Sequence, residues 1–284
     1  MILGFSDYAA GGTVTCSQSF ASSAPLVNLQ TRRLGKRARS TAAADSTFRL
    51  TVDLGQSRFL PLVGLLSPDP LLMPEDAPFP VPLPVARVEL SNVSASGSEV
   101  WSGYTTGTRH ALCIPGDGTV QVALSARWVS FVFRSVAANW SCGRVWAGLA
   151  FWPLNGMDYN YTAGVIDSGT TRTLRGGANN PRPGVILDTI SAQCSSLPLA
   201  EAIGPGPEGL PDLKTMLRVV GNTGEVLMVP RGLGRVSPTG WIEQNAWQLD
   251  QLAVYGRLTG DLAGAIQHGD ADNYTTSLTV VEER

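Results

Sequence analysis

The chain has 284 residues, of which 43% are hydrophobic and 15% are charged, and its net charge is −2. This length allows about two domains with substantial hydrophobic cores, and the small net charge excludes a global attraction to nucleic acid or to anionic membranes. A composition so poor in charge indicates that much of the surface faces other protein.

Membrane insertion and secretion find no support in the sequence. The apolar run at 145–154 has about half of the roughly 20 residues that a spanning helix needs, and it contains Gly148 and Pro153. The N-terminus lacks the basic and long apolar regions of a signal peptide. We therefore expect a protein of the cytoplasm, or of a particle that assembles there.

Catalytic and metal-binding residue types are few. The four cysteines are far apart and form no CxxC pair, which favours free buried thiols over disulfides or a metal site, and the only histidines are His110 and His268. Asp270 and Asp272 near His268 could hold a cation, but we favour a solvated turn, which is the more common setting for such residues. We assign no catalytic residue, cofactor or metal, and a hydrolase that depends on His268 or Asp270 is kept as a third hypothesis.

The first half of the chain has the short alternating runs and frequent turn residues of an all-β sandwich. In FRLTVDLG the side chains of Phe48, Leu50, Val52 and Leu54 alternate onto one face. The continuously apolar FLPLVGLL is expected to be buried on both faces. The predicted strands of this half are 13–15, 48–55, 59–66, a strand within 85–101 that is followed by a turn and Trp101, a central strand at 127–136 and a closing strand at 144–153.

Two segments of the first half stand out by composition. Residues 28–40 contain five basic residues, and we interpret them as a solvated loop rather than a nucleic-acid site because no aromatic side chains are interleaved. Residues 68–84 are rich in proline and predict an extended loop, either a docking arm or a loop that packs back on the sandwich.

The second half begins with a change of character. Residues 166–184 are polar and turn-rich, which indicates a linker or an arm that reaches a partner. Asp212 is placed to cap a short helix, LKTMLRVV, and Gly221 to end it. The predicted strands are 185–198, 225–231, 247–259 and 273–283. We thus predict a sandwich domain with an N-terminal strand at 1–164 and a β-rich domain with one helix, near 212–220, at 165–284.

The aromatic segment WSCGRVWAGLAFWPLNGMDYNYTAG (140–164) leaves three alternatives open. Trp146 and Trp152 are separated by an even number of residues, so in a strand they share a face. They could pack in a core, contact a neighbouring subunit, or form a stacking platform for a sugar.

Residues 46–152 resemble the discoidin-like, galactose-binding-type β-sandwich. The resemblance rests on the order of STFRLTVDLGQSRFLPLVGLL, ARVELSNVSASGSEVW, ARWVSFVF and GRVWAGLAFW. It implies a discoidin-like sandwich that could recognise a glycan.

A second resemblance covers most of the chain. GRVWAGLAFWPLNGMDYNYTAG resembles the "GR-aromatic-AG … NY-x-x-G" segment of minor structural proteins of tailed bacteriophages. NLQTRRLGKRARS and the C-terminal VYGRLTGDLAGAIQHGDADNYTTSLTVVEER resemble other segments of the same proteins, in the same order. This implies a tail-tip or baseplate component similar in role to distal tail proteins, without enzymatic activity.

Our first hypothesis is therefore a virion structural protein of a tailed phage, with the second domain docking on the tail. Its partners would be the tail tube, hub, tail fibres and further copies of itself, as a trimer or hexamer, with no nucleic acid and no membrane insertion. The alternative is a carbohydrate-binding module protein that recognises host glycans. The candidate inter-subunit contacts are Trp146, Trp152, Tyr159, Tyr161, Arg172, Arg175 and Arg182.

Overall fold

The computed structural model describes residues 2–42, 48–67, 86–95, 98–105, 110–115, 124–133, 139–153, 161–173, 175, 179–204, 210–230, 252–260, 262, 265–269 and 273–283. Across these residues the chain is mainly β, as the sequence predicts. Its strands are β1 (Ile2–Asp7), β2 (Thr13–Cys16), β3 (Ala38–Arg39), β4 (Arg49–Phe59), β5 (Leu62–Leu66), β6 (Arg87–Ser91), β7 (Glu99–Tyr104), β8 (His110–Cys113), β9 (Ser125–Val132), β10 (Ser141–Cys142), β11 (Arg144–Phe151), β12 (Thr162–Asp167), β13 (Thr170–Thr173), β14 (Asn179–Arg182), β15 (Ile186–Pro198), β16 (Glu225–Val229), β17 (Val254–Thr259), β18 (Ile266–His268) and β19 (Asn273–Glu282). The helices of the described part are α1 (Leu199–Ala202) and α2 (Leu213–Val220), with 3-10 turns at Ala9–Gly11 and Leu26–Gln30.

One large sheet runs through both halves of the chain. In the described residues ten strands form it, in the order β12-β15-β19-β17-β16-β1-β11-β5-β8, with β18 paired to β19 outside this path. Strand β1 pairs antiparallel with β11 on one side and with β16 on the other. The N-terminal strand therefore joins the strands of the first half to those of the second, and the division into domains 1–164 and 165–284 stays a prediction.

The predicted sandwich is confirmed in the first half. Within the described ranges, five strands form a second sheet in the order β2-β4-β9-β6-β7, which places β9 at its centre as predicted. A buried core joins this sheet to the large one, and it contains the four alternating side chains Phe48, Leu50, Val52 and Leu54. Full burial of one such side chain stabilises the folded state by about 1.5–3 kcal/mol.

Strand β5 is buried on both faces, as its unbroken apolar run predicts. Val63 and Leu65 enter the sandwich core, whereas Leu62 and Leu66 enter a separate cluster that includes Trp146 and Tyr255. A strand inside a sheet with apolar residues on both faces needs no polar face.

Helix α2 begins and ends where its local signals predict. Asp212 accepts a hydrogen bond from the backbone N–H of Thr215 (2.9 Å), and Gly221, with φ of 54°, follows the last helical residue. Leu213, Met216 and Val220 are buried in the core of the second half. The amphipathic face of the helix thus covers the large sheet beside β1.

Several elements differ from the sequence-based predictions. The chain begins with β1, which lies before the first predicted strand at 13–15, and α1 is a second helix beside the single one expected. Strand β11, expected to close the sandwich, is flanked by β1 and β5 inside the large sheet. Residues 68–84 and 247–251 lie outside the described residues, so the proline-rich loop and the start of the strand predicted at 247–259 stay predictions.

Candidate functional site: an exposed β-ribbon and a buried ion cluster

Residues 162–186, here called the arm, form a two-stranded ribbon rather than the irregular linker that was one reading of 166–184. Strand β12 pairs with the first residues of β15 in register Thr162↔Ser191 through Asp167↔Ile186. Beyond it, β13 pairs with β14 in register Thr170↔Arg182 through Thr173↔Asn179. All described residues of the arm except Gly169 are exposed.

The two parts of the ribbon are joined by a close backbone contact. The N–H of Ser168 donates to the carbonyl of Val185 (3.2 Å), and the N–H of Val185 donates to the hydroxyl of Ser168 (2.8 Å). A side chain at Gly184 would collide with the backbone of Gly169. Glycine at 184 is therefore needed for the arm to continue from β12 and β15 into β13 and β14.

Apolar side chains of the arm are exposed on both faces. Ile186 lies opposite Asp167 and shares a face with Val165, whereas Ile166 projects to the other face. The exposed fractions are 65% for Val165, 43% for Ile166, 51% for Val185 and 54% for Ile186. Among the described strands, β12 lies at the edge of the large sheet, and its residues include none of the Lys or Pro that protect such edges.

The outer part of the ribbon has one basic face. Arg172 lies opposite Asn180 and Arg182 lies opposite Thr170, so the two arginines share a face as diagonal neighbours. Arg175 lies in the turn and is exposed. Among the described residues none forms an ion pair with Arg172, Arg175 or Arg182.

A buried ion cluster lies in the middle of the same large sheet. Arg144 is 1% exposed and donates hydrogen bonds to Asp7 from Nε (2.9 Å) and Nη2 (2.7 Å). Its Nη1 lies 2.8 Å from Glu225 Oε2 and donates to the hydroxyl of Tyr255. Asp7, Arg144, Glu225 and Tyr255, here called the ion cluster, belong to the neighbouring strands β1, β11, β16 and β17.

Charge in the ion cluster is balanced with the help of one exposed residue. Arg32 Nε lies 3.1 Å from Glu225 Oε1, an ion pair without a hydrogen bond, since that oxygen accepts none. The Tyr255 hydroxyl donates to the backbone carbonyl of Arg32 (3.1 Å). Two arginines thus face two carboxylates across the strands that connect the two halves of the chain.

Burial is the largest single influence on the pKa values of Asp7, Arg144 and Tyr255. Desolvation raises the pKa of Asp7, and the opposing attraction of Arg144 only reduces this rise. Desolvation lowers the pKa of Arg144, but the carboxylate of Asp7 and its other partners outweigh it and leave the pKa raised. Burial raises the pKa of the Tyr255 hydroxyl, which stays protonated and can donate.

The aromatic candidates separate in the structure. Trp146 and Trp152 pack in the same cluster, which confirms that they share a face. Trp146 is completely buried and packs against Tyr255, with ring centroids 6.2 Å apart. In this fold its side chain is therefore not accessible to a neighbouring subunit. Trp152 and Tyr161 are half-buried, and Tyr159 lies outside the described residues. Contact by Trp152 and Tyr161 stays a prediction.

Other candidate chemistry is not assembled in the described part of the chain. Cys113, Cys142 and Cys194 are buried free thiols and Cys16 is half-buried, and burial raises the pKa of Cys142 to about 12. No group of three metal-ligating residues occurs there. Asp270 and Asp272 lie outside the described residues, so the cation site considered for them stays a prediction. No helix in these ranges has the length and apolar character to cross a bilayer.

Comparison with known proteins identifies only distant structural likenesses. No family model matches the chain, and no curated protein matches it. A lectin domain of lectinolysin complexed with Lewis B antigen matches with 16% identity and a TM-score of 0.37, over 50% of this chain and 95% of that domain. A Streptococcus pneumoniae fucose-binding module matches with 15% identity and a TM-score of 0.37, over 51% and 95%. Chitosan-binding module 2 of a Paenibacillus sp. IK-5 chitosanase/glucanase matches with 17% identity and a TM-score of 0.37, over 50% and 99%.

Proposed function

We propose that this chain is a structural assembly protein that docks on neighbouring chains through its arm. The observation that carries the proposal is a regular β-ribbon with apolar side chains exposed on both faces. The outer part of the ribbon, β13 and β14, pairs with no other described strand, and a two-stranded ribbon by itself is only marginally stable in water. Exposed apolar surface such as that of Val165 and Ile186 on one face of the arm is typical of interaction sites. A partner that covers the arm would stabilise it and bury these side chains.

The finer proposal is a tail-tip or baseplate component of a tailed phage. It is supported by the resemblance of GRVWAGLAFWPLNGMDYNYTAG and the C-terminal segment to minor structural proteins of such phages. In this role the chain forms a trimer or hexamer, contacts the tail tube, hub and tail fibres, and is part of a virion assembled in the host cytoplasm. Its role in this proposal is to bind neighbouring proteins in the assembly, and it catalyses no reaction.

The test compares exposed apolar residues inside and outside the arm. We expect wild type to form trimers or hexamers in size-exclusion chromatography with light scattering, and rings in negative-stain images. The variant Val165→Thr/Ile166→Thr should shift the protein to monomers. The control Val27→Thr/Val219→Thr changes side chains that are 61% and 58% exposed elsewhere, and should assemble like wild type. A wild-type chain that is monomeric at all concentrations, or equal loss in both variants, contradicts the proposal.

A second candidate, glycan binding, is favoured by one surface group on the sandwich. Trp128 is half-buried on the outer face of the five-stranded sheet, since it alternates with the core residue Val129. The guanidinium of Arg127 lies 4.3 Å from the centroid of the Trp128 ring and forms two hydrogen bonds of 2.8 Å with Asp53. Arg127 covers one face of the Trp128 ring, and an aromatic ring next to polar groups held in place is a common composition for ligand sites.

Calorimetric titration with fucose, galactose and chitotriose tests this candidate. Fucose and chitotriose are chosen as probes because they appear in the descriptions of the solved structures above. Binding at millimolar sugar that is lost in Trp128→Ala would support it. The matched variant Trp101→Ala changes another half-buried tryptophan of the same sheet and should keep the binding. No heat of binding at millimolar sugar argues against the candidate.

A further inference from the structure

The charge of the arm opposes the charge of the remaining chain. The arm together with the preceding Tyr161, residues 161–186, contains three arginines and one aspartate, a net charge of +2. Because the whole chain carries −2, the rest of the chain carries −4. The basic side chains are concentrated at the outer part of the ribbon, where Arg172 and Arg182 share one face. This part of the arm is therefore suited to an acidic surface.

Resting on the proposed function, we propose that the arm binds the body of a second copy of this chain, with the face of Arg172 and Arg182 toward that copy. Charge complementarity selects this partner, because a basic arm is attracted to a body with a net charge of −4. Pairing of two arms along the open edge of β12 would instead bring two groups of like charge together. The contact is thus arm to body, and each copy offers one arm and one receiving surface.

The two faces of the outer ribbon supply a matched pair of variants. Arg172→Gln/Arg182→Gln removes two positive charges from the basic face. Thr171→Glu/Thr173→Glu adds two negative charges on the opposite face, because these threonines alternate with the residues of the basic face. Both variants lower the net charge by the same amount, so they differ only in the face that is changed.

Sedimentation equilibrium over a range of protein concentrations measures the effect. We expect Arg172→Gln/Arg182→Gln to weaken self-association about three- to thirtyfold, and Thr171→Glu/Thr173→Glu to change it less than about twofold. Raising the salt concentration should weaken wild type more than the arginine variant, since salt screens exposed charges. Equal weakening by both variants, or none by the arginine variant, overturns the inference.

A photo-crosslinking side chain at Asn180, which lies opposite Arg172 on the basic face, identifies the surface that is touched. With an isotopically labelled second copy, we expect cross-links from residue 180 to peptides outside residues 161–186. Cross-links within 161–186 would show arm-to-arm pairing and overturn the inference. If Val165→Thr/Ile166→Thr abolishes assembly but either arginine result above fails, the proposed function stands and only the choice of partner is wrong.

Discussion

The arm extends from one edge of the large sheet, and the ion cluster lies in the middle of that sheet. The two regions differ in which side chains they bury and which they expose. In the ion cluster, charged side chains are buried and each carboxylate has a cationic partner. In the arm, apolar side chains are exposed and the arginines have no ion-pair partner among the described residues. The ion cluster thus has its charges paired inside the fold, whereas the arm has no such pairing among the described residues.

This contrast separates a structural role from an interaction role. Removing one partner from a buried ion pair leaves an uncompensated charge and is strongly destabilising, so the ion cluster should govern the stability of the monomer. Substitutions at exposed positions change monomer stability little, so the arm should govern association instead. The following predictions test that separation, from the largest expected effect on stability to the smallest.

The largest effect is expected for Arg144→Met. The substitution leaves Asp7 and Glu225 buried without the cation between them, and should lower the free energy of unfolding by about 3–5 kcal/mol. The matched variant Arg172→Met removes an exposed arginine of the arm and should stay within about 0.5 kcal/mol of wild type. Urea unfolding followed by circular dichroism measures both values. Similar losses in the two variants would show that the regions do not differ as proposed.

A smaller effect is expected for Tyr255→Phe. The lost hydroxyl accepts a hydrogen bond from Arg144 and donates one to the carbonyl of Arg32, so the loss should be about 1–3 kcal/mol. Tyr161→Phe, next to the arm, removes a hydroxyl for which the described residues show no hydrogen bond. Its free energy of unfolding should match wild type, and an equal loss there would argue against a special role of the ion cluster.

The pH dependence of stability should carry the signature of Asp7. The pKa of Asp7 is raised in the fold, so the folded state holds the proton of this carboxyl more tightly than the unfolded state does. The resulting contribution to the free energy of unfolding is complete below pH 3.8 and is lost as pH rises through the raised pKa. Relative to Asp7→Asn, wild type should lose stability as pH rises above about 4, by at most about 1.4 kcal/mol per pH unit. Urea unfolding at a series of pH values measures the difference.

Asp53 provides a control of opposite sign. Its hydrogen bonds with Arg127 lower the pKa of this partly exposed carboxyl, so its contribution to the free energy of unfolding is present above pH 3.8 and is lost as pH falls through the lowered pKa. Relative to Asp53→Asn, wild type should therefore lose stability on acidification. The same slope for both aspartates would contradict the assignment of Asp7 as a desolvated carboxyl.

The smallest effect on the monomer is expected in the arm itself. Val165→Thr/Ile166→Thr keeps β-branched side chains on exposed positions, and should change the free energy of unfolding by no more than about 0.5 kcal/mol. Measured at a protein concentration where wild type is monomeric, a larger loss would show that these side chains stabilise the monomer. In that case their exposure would not indicate an interaction surface.

Local signals in the sequence were enough to determine several elements. Alternation placed Phe48, Leu50, Val52 and Leu54 on one buried face, and the even spacing of Trp146 and Trp152 placed them in one cluster. Asp212 and Gly221 bounded the helix between them. These features depend on residues close together in the chain, whose geometry is set by strand and helix periodicity.

Only the tertiary structure decided the place of β1, the ion cluster and the form of the arm. Asp7 and Arg144 are separated by 137 positions, and nothing in the sequence near either residue identifies the other. The arm was read as a possible linker because its composition is polar, yet backbone hydrogen bonds between strands do not require apolar side chains. Its exposure agrees with both sequence-based readings, a linker or an arm that reaches a partner, whereas its pairing into a regular ribbon was decided only by the tertiary structure.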